Sequence, residues 1–427
     1  MAGRESLVAA IHNTGWLLAD NVLRVLNGVL VGAWVARYLG PSQVGQWSYV
    51  LSLVFLFGTV SALGLDSVVV RELARDALSA PAILGTVVRL RLAAGVVCWA
   101  GAVVTVLALR PGDSQALLLV SVVGGTIVLQ SADTVDLWFQ SQTQSKRTVW
   151  AKTLGYLCAS VLKVVLILSK APLPAFAVVT LIEAMLSSLS LSLLYRRFPA
   201  PFKWTWDTAR VTTLLRESWP YLVAAISITI YMRVDQVMLR QMVGEHELGI
   251  YSVAIPISTA WYFIPMAIAR STAPAIARKK AGDPAGYERA IFLTYSVMWW
   301  MLLPLSIAVA ALARPMVHLL YGDAFAASAG VLAIHVFTNI PVALGVAQYN
   351  WIVNERRNIL TVYKTSVGAV SNIALNLVLI PRYGAYGAAM ASVGAQCLSA
   401  VLSNLVFAPQ AFRMQMWSLV GSAPRRG

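Results

Sequence analysis

The sequence predicts an all-α polytopic membrane protein of about twelve transmembrane helices, arranged as two six-helix parallel repeats. Three observations carry this expectation. Of the 427 residues, 58% are hydrophobic and only 12% charged, whereas a soluble chain carries about 25% charged residues. Apolar runs of roughly 18 residues or more recur along the whole length, while β-barrel strands would alternate over about 10 residues. A glycine–aromatic motif recurs after the first and the seventh of these runs.

The spans fall at about 14–36, 44–65, 92–109, 116–138, 149–169 and 175–195 in the first half. In the second half they fall at about 218–239, 249–270, 290–313, 327–350, 361–380 and 386–409. The stretch AILGTVVRLRL before the third span is amphipathic and suits a membrane interface. With the N-terminus inside, 24 of the 33 Lys and Arg residues lie in cytoplasmic segments, six in outer loops and three within spans. Cytoplasmic loops accumulate such residues, so both termini are expected in the cytoplasm. The same bias accounts for the net charge of +15 without nucleic acid, because the basic residues are scattered over short loops instead of forming one patch.

The two halves are read as lobes of residues 1–205 and 206–427, joined by the basic, tryptophan-containing segment around residues 195–217. LGPSQVGQWS (39–48) and VGEHELGIYS (243–252) share G-x4-G-x-aromatic-Ser at an offset of 204, and RELAR (71–75) and PAIAR (274–278) recur at 203. An even number of spans per repeat gives both lobes one orientation in the membrane. Cys98, Cys158 and Cys397 all lie in apolar runs and read as packing residues. The first run lacks the features of a cleavable signal peptide. Tryptophans near span ends, Trp47, Trp138, Trp150, Trp219 and Trp351, suit interface belts.

Ionised groups deep in a membrane cost about 2.5–3.5 kcal/mol each on insertion scales, so those that remain are candidate functional groups. In the first span Asp20, Arg24 and Asn27 stand at i, i+4 and i+7 on one helical face. They form either a self-neutralising packing pair or the start of a polar stripe lining a hydrated cavity, and Asn27 favours the stripe. Thr229, Arg233 and Gln236 repeat that spacing in the seventh span. Asp235 points about 200° away from Arg233 and is expected near the outer interface. Lys163 has no acidic neighbour within a turn, and either snorkels outward or adds a positive charge to the cavity. Glu183 and His335 each stand alone in apolar sequence, as ion-coupling groups or as helix–helix hydrogen bonders. Asp66, Asp133 and Asp136 lie at cytoplasmic span ends, where solvation or pairing with nearby basic residues is expected. Gln348 and Asn350 are further candidates for gripping sugar hydroxyls.

The segment VARYLGPSQVGQWSYVLSLVFLFGTVSALGLDSVVVRELAR (35–75) resembles the N-terminal signature of bacterial polysaccharide-unit flippases. These O-antigen and exopolysaccharide translocases belong to the multidrug/oligosaccharidyl-lipid/polysaccharide exporter superfamily. The resemblance continues through residues 234–254 and 379–392. It implies a V-shaped pair of six-helix lobes around a central cavity, alternating access and a polyprenyl-diphosphate-linked oligosaccharide as cargo. On that footing Arg24, Arg233 and Lys163 are the candidates for binding the diphosphate. Asp20, Asn27, Thr229 and Gln236 are cavity polar groups, and Asp235, Glu183 and His335 are candidates for proton or sodium coupling. The setting implied is the bacterial inner membrane, in polysaccharide or lipopolysaccharide biosynthesis, with glycosyltransferases and a glycan polymerase as partners. A cation-coupled multidrug exporter of the same superfamily is the alternative, since Asp20, Asp235 and Glu183 would suit positive cargo. The chain has no P-loop, zinc motif or catalytic triad pattern, so neither an enzyme nor a cofactor is expected.

Overall fold

The computed structural model describes the backbone of residues 2–197 and 203–420, with side chains from residue 27 onward apart from 77 and 145. Every regular element among these residues is helical. Among the described residues, ten helical segments are long and apolar enough to cross a membrane, and two of them, Asn27–Arg75 and Ile359–Phe407, run for 49 residues. A single crossing needs about 20 residues. Each long segment is broken by a glycine that no side-chain-bearing residue would replace comfortably: Gly40 at φ 74°, ψ 171° before Pro41, and Gly384 at φ 54°, ψ −131° after Pro381. Counting each broken segment as two crossings gives the twelve expected. Exposed large side chains along the spans, such as Val97, Val161 and Val370, are apolar, as a lipid-facing surface requires.

The chain divides into two compact units, Met1–Leu39 with Tyr49–Thr229, and Gly40–Ser48 with Ile230–Gly427. In the first, Leu65, Val68, Leu73, Ile83, Leu84, Val87, Phe139 and Leu191 form a buried apolar core. The AILGTVVRLRL stretch belongs to this core. The helix runs unbroken over Ala80–Leu109 with Pro81 in its first turn, and Ile83 to Val87 are buried, so the interfacial placement expected from amphipathicity is corrected. Its burial has a visible cause in the following linker. The Thr205 amide donates to the Pro81 carbonyl at 3.1 Å, and a Cβ on Gly85 would lie 2.3 Å from the Thr205 carbonyl oxygen. Trp204 is pinned beside it, donating to the Tyr195 hydroxyl at 3.0 Å.

In the second unit, Tyr295, Met298, Leu302, Leu344, Ala347 and Trp351 anchor the core. Trp351 and Trp138 are therefore buried packing residues, and their placement in an interface belt is corrected. The repeated glycine motifs also meet in this unit. Gly40 and Gly244 (φ 98°, ψ −176°) both adopt the extended, positive-φ backbone that is essentially confined to glycine. The second glycines make the contact: a Cβ on Gly45 would lie 1.8 Å from the Glu245 carbonyl oxygen, and one on Gly249 would lie 1.9 Å from that of Pro41. The sequence spacing G-x4-G thus places a turn glycine and a contact glycine in each copy.

A buried network near the end of the chain was not foreseen. Lys364, Gln348, Asn404 and Gln415 are all buried. The Lys364 ammonium donates to Gln348 Oε1 and, at 3.4 Å, to the Ala400 carbonyl. Asn404 Nδ2 reaches Gln348 Oε1, the Ala400 carbonyl and Gln415 Oε1 at 2.9–3.1 Å. A π-helical turn over Leu398–Leu402 turns the Ala400 carbonyl toward all three donors, Gln415 included at 3.2 Å. Gln348 and Asn350 are thus committed inside the protein, Asn350 to the Ala269 carbonyl at 3.0 Å, and are removed as sugar-gripping candidates. Lys364→Met keeps the volume but removes the charged donor from a network whose acceptors retain only neutral amide donors, at about 1.5–3 kcal/mol. We expect a lower midpoint of thermal unfolding in detergent than for Val370→Met, an exposed change on the same helix.

Candidate polar sites within the two units

In the second unit, the Gly244 turn folds the Glu245–Thr259 helix back along the end of Thr208–Met242. That reversal brings Tyr251 onto Asp235, whose Oδ2 accepts from the Tyr251 hydroxyl and from Ser392 Oγ at 3.4 Å. Asp235 Oδ1 accepts the Gln236 amide at 2.7 Å, and Tyr251 and Ser392 hydroxyls lie 3.3 Å apart. Asp235 is only 3% exposed, which a carboxyl tolerates when hydroxyl and amide donors replace its water. Asp235 is thus buried inside the helix bundle, with its carboxylate held by side chains from two other helices.

His335 is also placed among partners instead of alone. The helix Ser328–His335 gives way to a 3-10 turn, Val336–Thr338, and the imidazole Nδ1 lies 2.7 Å from Ser258 Oγ. Its ring stands edge-on to Tyr251, with centroids 6.0 Å apart. Arg233, Asp235, Tyr251, Tyr262, His335 and Ser392 all border one cavity of about 90 Å³. Arg233 and Asp235 thus share a cavity although they do not share a helical face. Tyr251 and Ser392 were not singled out beforehand. Tyr251 is the aromatic of the second glycine motif, and Ser392 is the last residue of the segment 379–392.

In the first unit, Thr229 is buried, with its hydroxyl 3.1 Å from that of Thr59. Gln236, in the second unit, is buried as well. Asn27 donates to Ser160 Oγ at 2.7 Å, and Ser160 in turn donates to the Tyr156 carbonyl. Lys163 and Glu183, solitary in the sequence, face each other from the adjacent helices Ser145–Leu168 and Leu173–Arg197 at 3.3 Å. Both side chains are about a quarter exposed. This pair neutralises the charge that Lys163 was expected to contribute. Asp20 and Arg24 lie outside the residues whose side chains are described. Asp66 pairs with Arg91, and Asp133 and Asp136 both pair with Lys152, as the bland expectation had it.

Buried carboxyl, hydroxyl and imidazole groups beside the half-buried Arg233 guanidinium, in an apolar helix bundle, suit ion or anion handling. The comparisons with known proteins decide the class. Residues 10–280 match the family described as polysaccharide biosynthesis protein. The chain belongs to that family. Residues 220–378 also match the MatE family. A probable flippase, AglR, from Haloferax volcanii is 30% identical over 179 residues, 40% of this chain, and the match spans only 37% of that relative's length.

Solved structures extend the likeness to nearly the whole chain. A multidrug-resistance MATE transporter of the MOP superfamily in an inward-facing conformation aligns with TM-score 0.74 at 15% identity, covering 92% of this chain and 96% of that one. The lipid II flippase MurJ, in an inward closed conformation, aligns with TM-score 0.69 at 14% identity, covering 96% and 91%. At these identities the likeness establishes the fold. The protein is a multi-pass membrane protein of the polysaccharide biosynthesis family, and the relatives it resembles are flippases and transporters.

Proposed function

We propose that the protein is a flippase that moves a polyprenyl-diphosphate-linked oligosaccharide repeat unit from the cytoplasmic to the outer leaflet of the bacterial inner membrane by alternating access. The match of residues 10–280 to the polysaccharide biosynthesis family carries this reading. Both termini lie in the cytoplasm, on the strength of the Lys and Arg distribution. Arg24 and Arg233 hold the diphosphate, since a guanidinium offers paired donors that suit phosphate oxygens. Lys163 assists only when its contact with Glu183 opens. Asp20, Asn27, Thr229 and Gln236 supply the polar surface around the head. Asp235 and His335 couple transport to a proton or sodium gradient, and Glu183 is a weaker candidate for that role. Glycosyltransferases and a polymerase of an O-antigen or related lipopolysaccharide pathway would supply and consume the cargo.

A second reading, export of organic cations, draws on the match of residues 220–378 to the MatE family and on the buried Asp235. A deletion strain separates the two. The flippase reading expects loss of surface glycan with unchanged drug susceptibility, and restoration of the glycan by the cloned gene. Increased susceptibility to cationic drugs with normal surface glycan would favour the exporter.

A further inference from the structure

The first unit holds a second cavity, larger than the one around Asp235, that the diphosphate-binding reading leaves unused. It has a volume of about 310 Å³, the lower end of the range for small-molecule sites. Its walls come from six helices and a break. The Ser114–Leu129 helix stops, a 3-10 turn spans Gln130–Asp133, and a new helix starts at Thr134. The tighter turn directs polar side chains inward, and the carbonyl it frees at Leu129 is taken by the Ser188 hydroxyl at 3.2 Å. On the predicted topology this is the cytoplasmic end of the unit.

Five ionic groups border the cavity: Asp66, Arg91, Asp133, Asp136 and Lys152. Lys152 holds the two carboxylates Asp133 and Asp136 at 2.8 Å each, which fixes their orientation, and Arg91 holds Asp66. Arg91 is 4% exposed, yet its Nε–H has no partner among the described residues. A buried guanidinium donor left unused on a cavity wall costs free energy unless something in the cavity accepts it. Gln140 and Ser131 also border the space without a side-chain hydrogen bond among the described residues.

The chemistry selects the occupant. Three carboxylates against two cations leave one net negative charge, so a phosphate or diphosphate would meet the wrong sign. A metal cation would compete with the ammonium already seated between Asp133 and Asp136. A sugar ring fits both limits. Its hydroxyls donate to carboxylates and accept from guanidinium and amide, and its C–H face can lie on Ile127 and Leu137. We infer that this cavity is a sugar-binding subsite that takes an uncharged hexose or N-acetylhexosamine residue of the lipid-linked cargo. The inference rests on the flippase reading, and it separates the group that reads the sugar from those that hold the diphosphate.

The test uses the full-length protein in lipid nanodiscs and two kinds of probe. One is bare undecaprenyl diphosphate, and the other is the same lipid bearing glucose, galactose or N-acetylglucosamine. We expect at least one sugar-bearing lipid to bind tenfold or more tightly than the bare lipid. That ratio should fall to within twofold in Gln140→Ala, an exposed position that does not threaten folding, and in Asp136→Asn. An unchanged ratio in both variants, or no preference in the parent protein, would overturn the subsite while leaving the flippase reading intact. Failure of the parent to bind any of these lipids would instead overturn that reading, and the subsite with it.

Discussion

Replacing Arg24 or Arg233 by alanine is expected to abolish surface display of the glycan while leaving the protein in the membrane at parental levels. Hydrogen bonds to charged groups contribute about 1.5–3 kcal/mol each, and each 1.4 kcal/mol is about tenfold in affinity. A low-dielectric setting deprives the diphosphate of competing water, so the loss should sit at the upper end of that range. Arg233 carries a second consequence. It borders the cavity that contains Asp235, so its removal withdraws the cation that faces a buried carboxyl. Lysine at either position keeps the charge but not the paired donors, and should restore display in part. Surface labelling of the glycan, with quantitative immunoblotting of the membrane fraction, reads both effects. Normal display in both alanine variants would remove these residues from the diphosphate site.

The second large effect concerns packing. Gly45→Ala and Gly249→Ala each place a Cβ within 2 Å of a main-chain carbonyl oxygen, of Glu245 and Pro41 respectively. Backbone cannot yield as a flexible side chain does, and overpacking of this kind costs about 1–3 kcal/mol. Gly45 also lies against the Gly249 backbone nitrogen. Separating the two motifs to admit one methyl therefore admits the other, and the double variant should lose less stability than the sum of the singles. Thermal unfolding in detergent, compared across the four proteins, measures this. Strict additivity would mean that the two glycines do not share one contact.

Residues that hydropathy and the 204-residue repeat govern were legible in advance. Twelve crossings follow from run lengths, because in lipid every backbone polar group must be satisfied within a helix. The breaks at Gly40 and Gly244 follow from the glycine spacing. Partnerships across helices were not legible. Lys163 and Glu183 are 20 positions apart, and Asp235 and Ser392 are 157 apart, so no periodicity within one helix could pair them. Helical angle left the partners of Asp235 open for the same reason. It excluded a same-face pair with Arg233 but could not show that the Gly244 turn folds Tyr251 back onto Asp235. The burial of Lys364 was not legible either, because a lysine at a span end is normally solvated. The acceptors of Gln348 and the π-turned Ala400 carbonyl make its burial tolerable, and a π-helical turn leaves no strong mark in the sequence.

The most direct test of the central claim is transport in proteoliposomes reconstituted with the purified full-length protein. A fluorescently tagged polyprenyl-diphosphate oligosaccharide, placed in both leaflets, is quenched by a membrane-impermeant reductant added outside. Without transport only the outer half is lost. The account predicts progressive loss of the inner half with the parent protein, and much slower loss with Arg233→Ala. Retention of the inner half with the parent protein, together with uptake of an organic cation by the same vesicles, would contradict it.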